Sequence, residues 1–178
     1  MSRALLIVDI QNDYFEGGAY PLVGSDAAAS EAARVIAVFR GAGEPVVHMQ
    51  HVWDAPDAVF MRPGTRGVEI HDSVAPAEGE LVLQKAEPNS FLGTALADTL
   101  DFLGIDQLVV AGMMTSMCID STVRAAAERG LSVQLVHDAC AAPDLEFGTA
   151  SVPGAQVHTA FVAALGDGFA EVVSASDF

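Results

Sequence analysis

The stretch Gln107-Leu-Val-Val-Ala-Gly-Met-Met-Thr-Ser-Met-Cys118 joins a short apolar run to the start of a helical pattern. A short run that is apolar at successive positions, rather than at alternate ones, is typical of a strand buried on both faces of a parallel sheet. Ligands of such sheets bind beyond the carboxyl ends of the strands. The stretch therefore predicts an α/β fold that places Cys118 at the sheet edge where a binding site is expected.

The alternation of short apolar runs and helical patterns extends outward from this stretch over the whole chain. It predicts a single domain over residues 1–178, a three-layer αβα sandwich with a roughly six-stranded, mostly parallel, Rossmann-like sheet. The predicted strands are Ala4–Val8, Pro45–Gln50, Leu81–Gln84, Gln107–Ala111, Ser132–Val136 and Ala170–Ser174.

Four helical patterns lie between or after these strands. Ser25 and Asp26 are expected to cap the first helix, Gly41 and Gly43 to end it, and Ser116 to lie near the start of the third. The predicted inward-facing stripes are Ala28, Ala32, Val35, Ile36 and Phe39; Leu92, Leu96, Thr99, Leu100 and Leu103; Ile119, Val123 and Ala127; and Val157, Phe161, Ala164 and Leu165.

A long connection with several prolines and glycines, residues 51–79, interrupts this rhythm. Loops longer than about 12–15 residues are usually functional or disordered. This one contains Trp53 and Phe60, which favours a segment that lines a site. We expect these two aromatic residues to close over a substrate or to contact a partner subunit.

The charge balance limits the classes of partner. The chain has 8 basic and 24 acidic residues and a net charge of −16, which excludes the basic face of a nucleic-acid binder and disfavours anionic membranes. No apolar run reaches the roughly 20 residues of a membrane span, and the N-terminus lacks the pattern of a signal peptide. A cytoplasmic protein is therefore expected, with its acidity serving mainly solubility.

Three chemically useful residues fall at the predicted sheet edge. Asp9 and Lys85 follow the first and third strands, and Cys118 opens a helix. A helix N-terminus and a lysine can both stabilise a thiolate, and a carboxylate can accept the thiol proton. Each residue also has an ordinary interpretation, because a cysteine can be a small buried hydrophobe, an aspartate a cap and a lysine a surface residue.

Four blocks make the chain recognisable: Ala4 to Phe15, Lys85 with Asn89-Ser-Phe91, Gly112 to Ala126, and Asp138-Ala-Cys-Ala141. They resemble the isochorismatase-like cysteine hydrolases, which include nicotinamidases and other amidases. The resemblance implies a catalytic triad of Asp9, Lys85 and Cys118. It also implies a non-proline cis peptide between Met113 and Met114, and an oxyanion hole formed by the backbone N–H groups of Met114 and Cys118.

The chain departs from the nicotinamidase pattern at the metal site. The Asp-x-His pair of that pattern corresponds here to His51 and Trp53, so we expect neither a metal nor another cofactor. Whether His48, His51 or His71 contributes to the pocket stays open. Isochorismatase activity is disfavoured, since its substrate is a dianion and the only cations in the variable loop are Arg62 and Arg66.

The predicted function is hydrolysis of a small amide-like C–N bond through an acyl-thioester on Cys118. The alternatives are a vinyl-ether hydrolase, a non-catalytic scaffold that keeps the fold, and a redox thiol protein. Gln11, Phe15, Trp53 and Phe91 are predicted to line the substrate pocket, Thr115 to cap the helix, and Cys140 to be structural. The partners expected are a small-molecule substrate, which the sequence does not identify, and further copies of the chain in a homodimer or larger homo-oligomer.

Overall fold

The computed structural model describes residues 2–178, and its strands and helices alternate as predicted. The strands are β1 (Arg3–Val8), β2 (Val46–His51), β3 (Leu81–Lys85), β4 (Gln107–Met113), β5 (Ser132–Ala141), β6 (Leu145–Phe147), β7 (Ala150–Val152) and β8 (Glu171–Val173). The α-helices are α1 (Ser25–Ala42), α2 (Leu96–Phe102), α3 (Asp120–Glu128) and α4 (Gly154–Gly166).

Six strands form one parallel sheet in the order β3-β2-β1-β4-β5-β8. Successive residues of β1 belong to the cores on opposite faces: Leu5 and Ile7 pack on the side of α1, whereas Leu6 and Val8 pack with residues of α2 and α3. Burial on both faces explains why the strand reads as a continuous apolar run. The predicted three-layer αβα fold with a six-stranded sheet is confirmed.

Several local predictions were wrong for identifiable reasons. Helix α2 begins at Leu96, and Leu92 is exposed, because the side chains of Asn89 and Thr94 hold the preceding segment in turns. Helix α1 has Gly24, in a left-handed conformation, at its N-cap position instead of a side-chain cap from Ser25. The hairpin of β6 and β7 was missed because its strands have three residues each.

The long connection after β2 is ordered through Asp13. The Asp13 carboxylate accepts hydrogen bonds from the N–H of Ala19 at 3.0 Å and of Met61 at 2.6 Å. A Cβ atom on Gly67 would overlap the same carboxylate, so the chain passes Asp13 closely at this point. One buried acidic side chain thus fixes two segments of chain near the sheet edge.

Replacing Asp13 with alanine is expected to lower the free energy of unfolding by about 2–4 kcal/mol, because two backbone donors lose a charged acceptor. Urea denaturation measures this change, and limited proteolysis within residues 54–66 reports loosening of the loop. Asp57→Ala, which alters an exposed residue of the same loop, is the matched control. Equal stability of the two variants would contradict the anchoring role of Asp13.

Within residues 2–178, no helix combines the length and the apolar character that crossing a bilayer requires.

Candidate active site

The carboxyl ends of four neighbouring strands bring Lys85, His51, Asp9 and the turn to Cys118 together, in the order β3, β2, β1, β4. Asp9 and Lys85 are both buried, and Lys85 Nζ lies 2.7 Å from Asp9 Oδ2. The same ammonium lies 3.2 Å from Cys118 Sγ. The three residues predicted as a triad are therefore in contact, with Lys85 joining the other two.

Close approach of β1 and β4 contributes to this arrangement. Gly112 pairs with Val8 in the sheet and has a φ of 138°, and a Cβ atom at this position would overlap the Val8 carbonyl. Asp9 follows directly, with a φ of 51° that is uncommon for residues other than glycine. The absence of a side chain at Gly112 thus lets Asp9 and the turn before Cys118 lie side by side.

His51 is a member of the cluster that sequence reasoning did not assign. It is paired in register with Lys85 across β2 and β3, and its Nδ1 lies 3.0 Å from Lys85 Nζ. Lys85 also donates to the carbonyl of Glu87 at 3.0 Å. The strand register, which sequence alone does not give, places His51 beside Lys85.

Ligand atoms of Asp9, His51 and Cys118 lie within 4.8 Å of one another, a spacing that resembles a metal site. Each residue also lies within 2.7–3.2 Å of Lys85 Nζ. The ammonium already holds the position toward which these three donors converge. The donor set consequently fits the protein's own cation better than a metal ion.

The environment of Cys118 favours the protonated thiol. Burial raises the pKa of Cys118, the adjacent Asp9 carboxylate raises it further, and Lys85 lowers it without outweighing them. Burial and the Asp9 carboxylate therefore oppose the stabilisation of the thiolate by Lys85. For Lys85, desolvation is outweighed by Asp9 and Cys118, so its pKa is raised and it stays an ammonium.

The turn between β4 and α3 carries the expected backbone features. The peptide bond between Met113 and Met114 is cis. Residues Thr115–Ile119 form a π-helical turn, and the N–H groups of Met117 and Ile119 both donate to the Met114 carbonyl. Within residues 2–178, the N–H of Met114 has no acceptor, and Met114 and Cys118 both line a cavity.

This cavity has a volume of about 340 Å³ and an aromatic wall. Its lining consists of Tyr14, Tyr20, His51, Trp53, Phe60, Ala86, Pro88, Met114, Met117 and Cys118. Phe60 is central to the wall, with its ring centroid 5.0 Å from that of Tyr20 and 5.5 Å from that of Trp53. The long loop therefore covers the site of its own chain, and Trp53 lies in the lining as predicted.

Three residues predicted to line the pocket lie elsewhere. Gln11 is buried and uses its amide on backbone, donating to the carbonyls of His51 and Val68 and accepting from the His51 N–H. Phe15 stacks on His71 at 3.7 Å beside a separate cavity of about 180 Å³. Phe91 packs in the core beneath Arg129. Their positions correct the prediction that they line this cavity.

The remaining candidates lie outside the cavity lining. Thr115 does not cap the helix, because its hydroxyl is paired with His158 Nδ1 at 3.0 Å. His48 is buried and pairs with Glu80 at 3.0 Å. Cys140 is buried and donates to the Val136 carbonyl, and burial raises its pKa to about 12, in keeping with the predicted structural role.

Alkylation by iodoacetamide is expected to modify Cys118 and spare Cys140, with a rate that rises nearly tenfold per pH unit between pH 7 and 9. The reason is that a thiol with a raised pKa reacts through a small thiolate fraction, which grows with pH. Peptide mass mapping at several pH values measures both rates. A rate for Cys118 that is constant over this range would contradict the protonated resting state.

Comparison with known proteins identifies relatives over the full length of the chain. A family model described as the isochorismatase domain matches residues 3–177. The isochorismatase family protein YddQ of Bacillus subtilis is 47% identical over 178 residues, which cover 100% of this chain and 99% of the relative.

A crystal structure of an isochorismatase-type hydrolase from Oleispira antarctica superposes with a TM-score of 0.95 at 48% identity, covering 99% of this chain and 95% of the other. The ureidoacrylate amidohydrolase RutB of Variovorax paradoxus is 28% identical over 188 residues, with 87% of this chain and 73% of the relative covered.

Proposed function

The chain belongs to the isochorismatase family of hydrolases, and from that membership we propose that it is a cysteine hydrolase cleaving a small amide-like C–N bond. The observation that carries the proposal is the contact of Lys85 Nζ with both Asp9 Oδ2 and Cys118 Sγ, at 2.7 and 3.2 Å. These groups supply a nucleophile, a base and a fixed cation beside the cavity.

In the first half of the reaction, Asp9 accepts the thiol proton as Cys118 Sγ forms a bond to the substrate carbonyl carbon. The N–H groups of Met114 and Cys118 stabilise the negative charge that develops on the carbonyl oxygen. The C–N bond then breaks, and the proton held by Asp9 passes to the departing nitrogen. An acyl-thioester and free ammonia or amine result.

In the second half, Asp9 has returned to the carboxylate form and takes a proton from a water molecule. The resulting hydroxide attacks the thioester carbon, and the C–S bond breaks. The sulfur regains a proton from Asp9, so that a carboxylic acid leaves and the site returns to its starting state. Throughout the reaction, Lys85 holds Asp9 and the Cys118 sulfur in place. Its positive charge stabilises the negative charge that develops on either group.

Two observations support an amide over a dianionic vinyl ether. The lining contains no side chain with a formal positive charge, and Lys85, which is not part of it, already contacts Asp9, His51, Cys118 and the Glu87 carbonyl. A relative that aligns over 87% of this chain is named as an amidohydrolase. The cavity volume of about 340 Å³ further favours a small molecule.

The vinyl-ether hydrolase remains the second candidate because the matching family model is that of the isochorismatase domain. The homodimer or larger homo-oligomer expected from the sequence stays a prediction.

Incubation with a panel of small neutral primary amides, followed by an assay of released ammonia, tests the proposal. The wild-type protein is expected to release ammonia from at least one amide, and the Cys118→Ala variant from none. Release of pyruvate from an enol-pyruvyl ether, with no ammonia from any amide, would assign the alternative reaction.

A further inference from the structure

His51 is held rigidly at the edge of the cavity by its backbone. Its N–H donates to Gln11 Oε1 at 2.8 Å, and its carbonyl accepts from Gln11 Nε2 at 2.9 Å. The imidazole is half-buried, lines the cavity beside Cys118, and offers Nδ1 to Lys85 at 3.0 Å. Both the backbone and one ring nitrogen of His51 are therefore fixed.

The contact with Lys85 determines which ring nitrogen carries the proton. An ammonium group can only donate, so Nδ1 must accept with its lone pair and Nε2 must carry the hydrogen. Burial lowers the pKa of His51, and the charge of Lys85 lowers it further. Because a second proton on the ring would face a cation 3.0 Å away, the imidazole stays neutral.

The Nε2–H group is available to a ligand. Within residues 2–178, His51 Nε2 has no hydrogen-bond partner. It is also not fully buried, so it is accessible. The cavity that His51 lines otherwise has a largely aromatic wall. With His51 neutral and Cys118 a thiol, none of the lining side chains carries a formal charge.

We propose that His51 is a specificity-determining residue whose Nε2–H donates a hydrogen bond to an acceptor atom of the substrate's acyl group. This inference rests on the proposed amide hydrolysis and adds the substrate class. The preferred substrate is an uncharged amide with an apolar or aromatic acyl group that carries an oxygen or nitrogen acceptor close to the scissile carbonyl. His51 does not exchange protons in the reaction, because its tautomer is fixed by Lys85.

Benzamide and the 2-, 3- and 4-pyridinecarboxamides form a matched set of probes, since each pyridine differs from benzamide by one acceptor nitrogen. Their affinity is measured by the protection they give Cys118 against iodoacetamide, which requires no turnover. At least one pyridine isomer is expected to bind the wild-type protein about five- to tenfold more tightly than benzamide, as one neutral hydrogen bond allows.

Three variants separate the proposed role from a merely structural one. His51→Leu removes the donor and should abolish the preference, whereas His51→Gln keeps an acceptor for Lys85 and a donor for the ligand and should restore part of it. His137→Leu removes a histidine that lies outside the cavity lining and should keep the full preference.

The outcomes distinguish this inference from the proposed function. The absence of any preference in the wild-type protein, or its persistence in His51→Leu, would overturn the role of His51. An equal fall in kcat for all amides in His51→Leu, with the preference retained, would show that His51 only orients Lys85. Failure of every amide to release ammonia would instead count against the proposed function, while the binding comparison would still stand.

Discussion

The Cys118→Ala variant is expected to lose at least about 10⁴-fold in kcat for its amide substrate and to keep the native fold. Removing the nucleophile of a covalent mechanism eliminates nearly all catalysis beyond binding and oxyanion stabilisation. The other cysteine, Cys140, cannot substitute for it, because it is buried in β5 and does not line the cavity. The substitution removes a single sulfur atom, so little packing is lost.

Ammonia release measures the activity of this variant, and circular dichroism with urea denaturation measures its fold. Cys140→Ala is the matched control, because it removes the same atom from a buried position away from the cavity. It is expected to keep kcat within about twofold. Activity within about twofold of the wild-type protein in both Cys118→Ala and Cys140→Ala would show that neither sulfur takes part in the reaction.

The Asp9→Asn variant is expected to change turnover and thiol reactivity in opposite directions. Turnover should fall by about 10³-fold or more, because an amide cannot accept the thiol proton. Alkylation of Cys118 at pH 7 should become severalfold faster, because the Asp9 carboxylate raises the pKa of Cys118 whereas Lys85 lowers it. Without the carboxylate, the charge of Lys85 stabilises the thiolate unopposed.

Parallel assays of ammonia release and iodoacetamide labelling test this divergence. Glu87→Gln is the charge-matched control, since it removes one negative charge near Lys85 from an exposed side chain and leaves the Glu87 carbonyl in place. It should leave both rates nearly unchanged. Slower alkylation in Asp9→Asn would contradict the effect of the Asp9 carboxylate on the pKa of Cys118, whereas unchanged turnover would contradict the assignment of Asp9 as the base.

The sequence was sufficient to predict that Asp9, Lys85 and Cys118 meet. Each lies at or beyond the carboxyl end of a strand of a parallel sheet, and these ends share one edge. The contribution of His51 could not be predicted, because it depends on the register that sets His51 beside Lys85. Gln11 was misassigned for a similar reason, since its amide partners lie 40 and 57 residues away in the chain.

The raised pKa of Cys118 could not be predicted, because local sequence reveals the helix N-terminus but not the burial of the thiol. Desolvation is the largest influence on this thiol, which is buried in the core cluster that the sheet forms with residues of α2 and α3. The pairing of Thr115 with His158 was also not predictable from local patterns, because it joins the turn before α3 to α4 across 43 residues. Short-range patterns thus located the reacting groups, whereas long-range contacts determined their chemical state.

The most direct test of the central claim is rapid-quench mass spectrometry during a single turnover of an amide that the protein hydrolyses. Acid quenching preserves a thioester, and the peptide that contains Cys118 is then analysed. The expected result is a transient mass increase equal to the acyl group minus one hydrogen, located on Cys118 and absent from Cys118→Ala. Complete turnover with Cys118 unmodified at every time point, or an acyl group on Cys140, would contradict the mechanism.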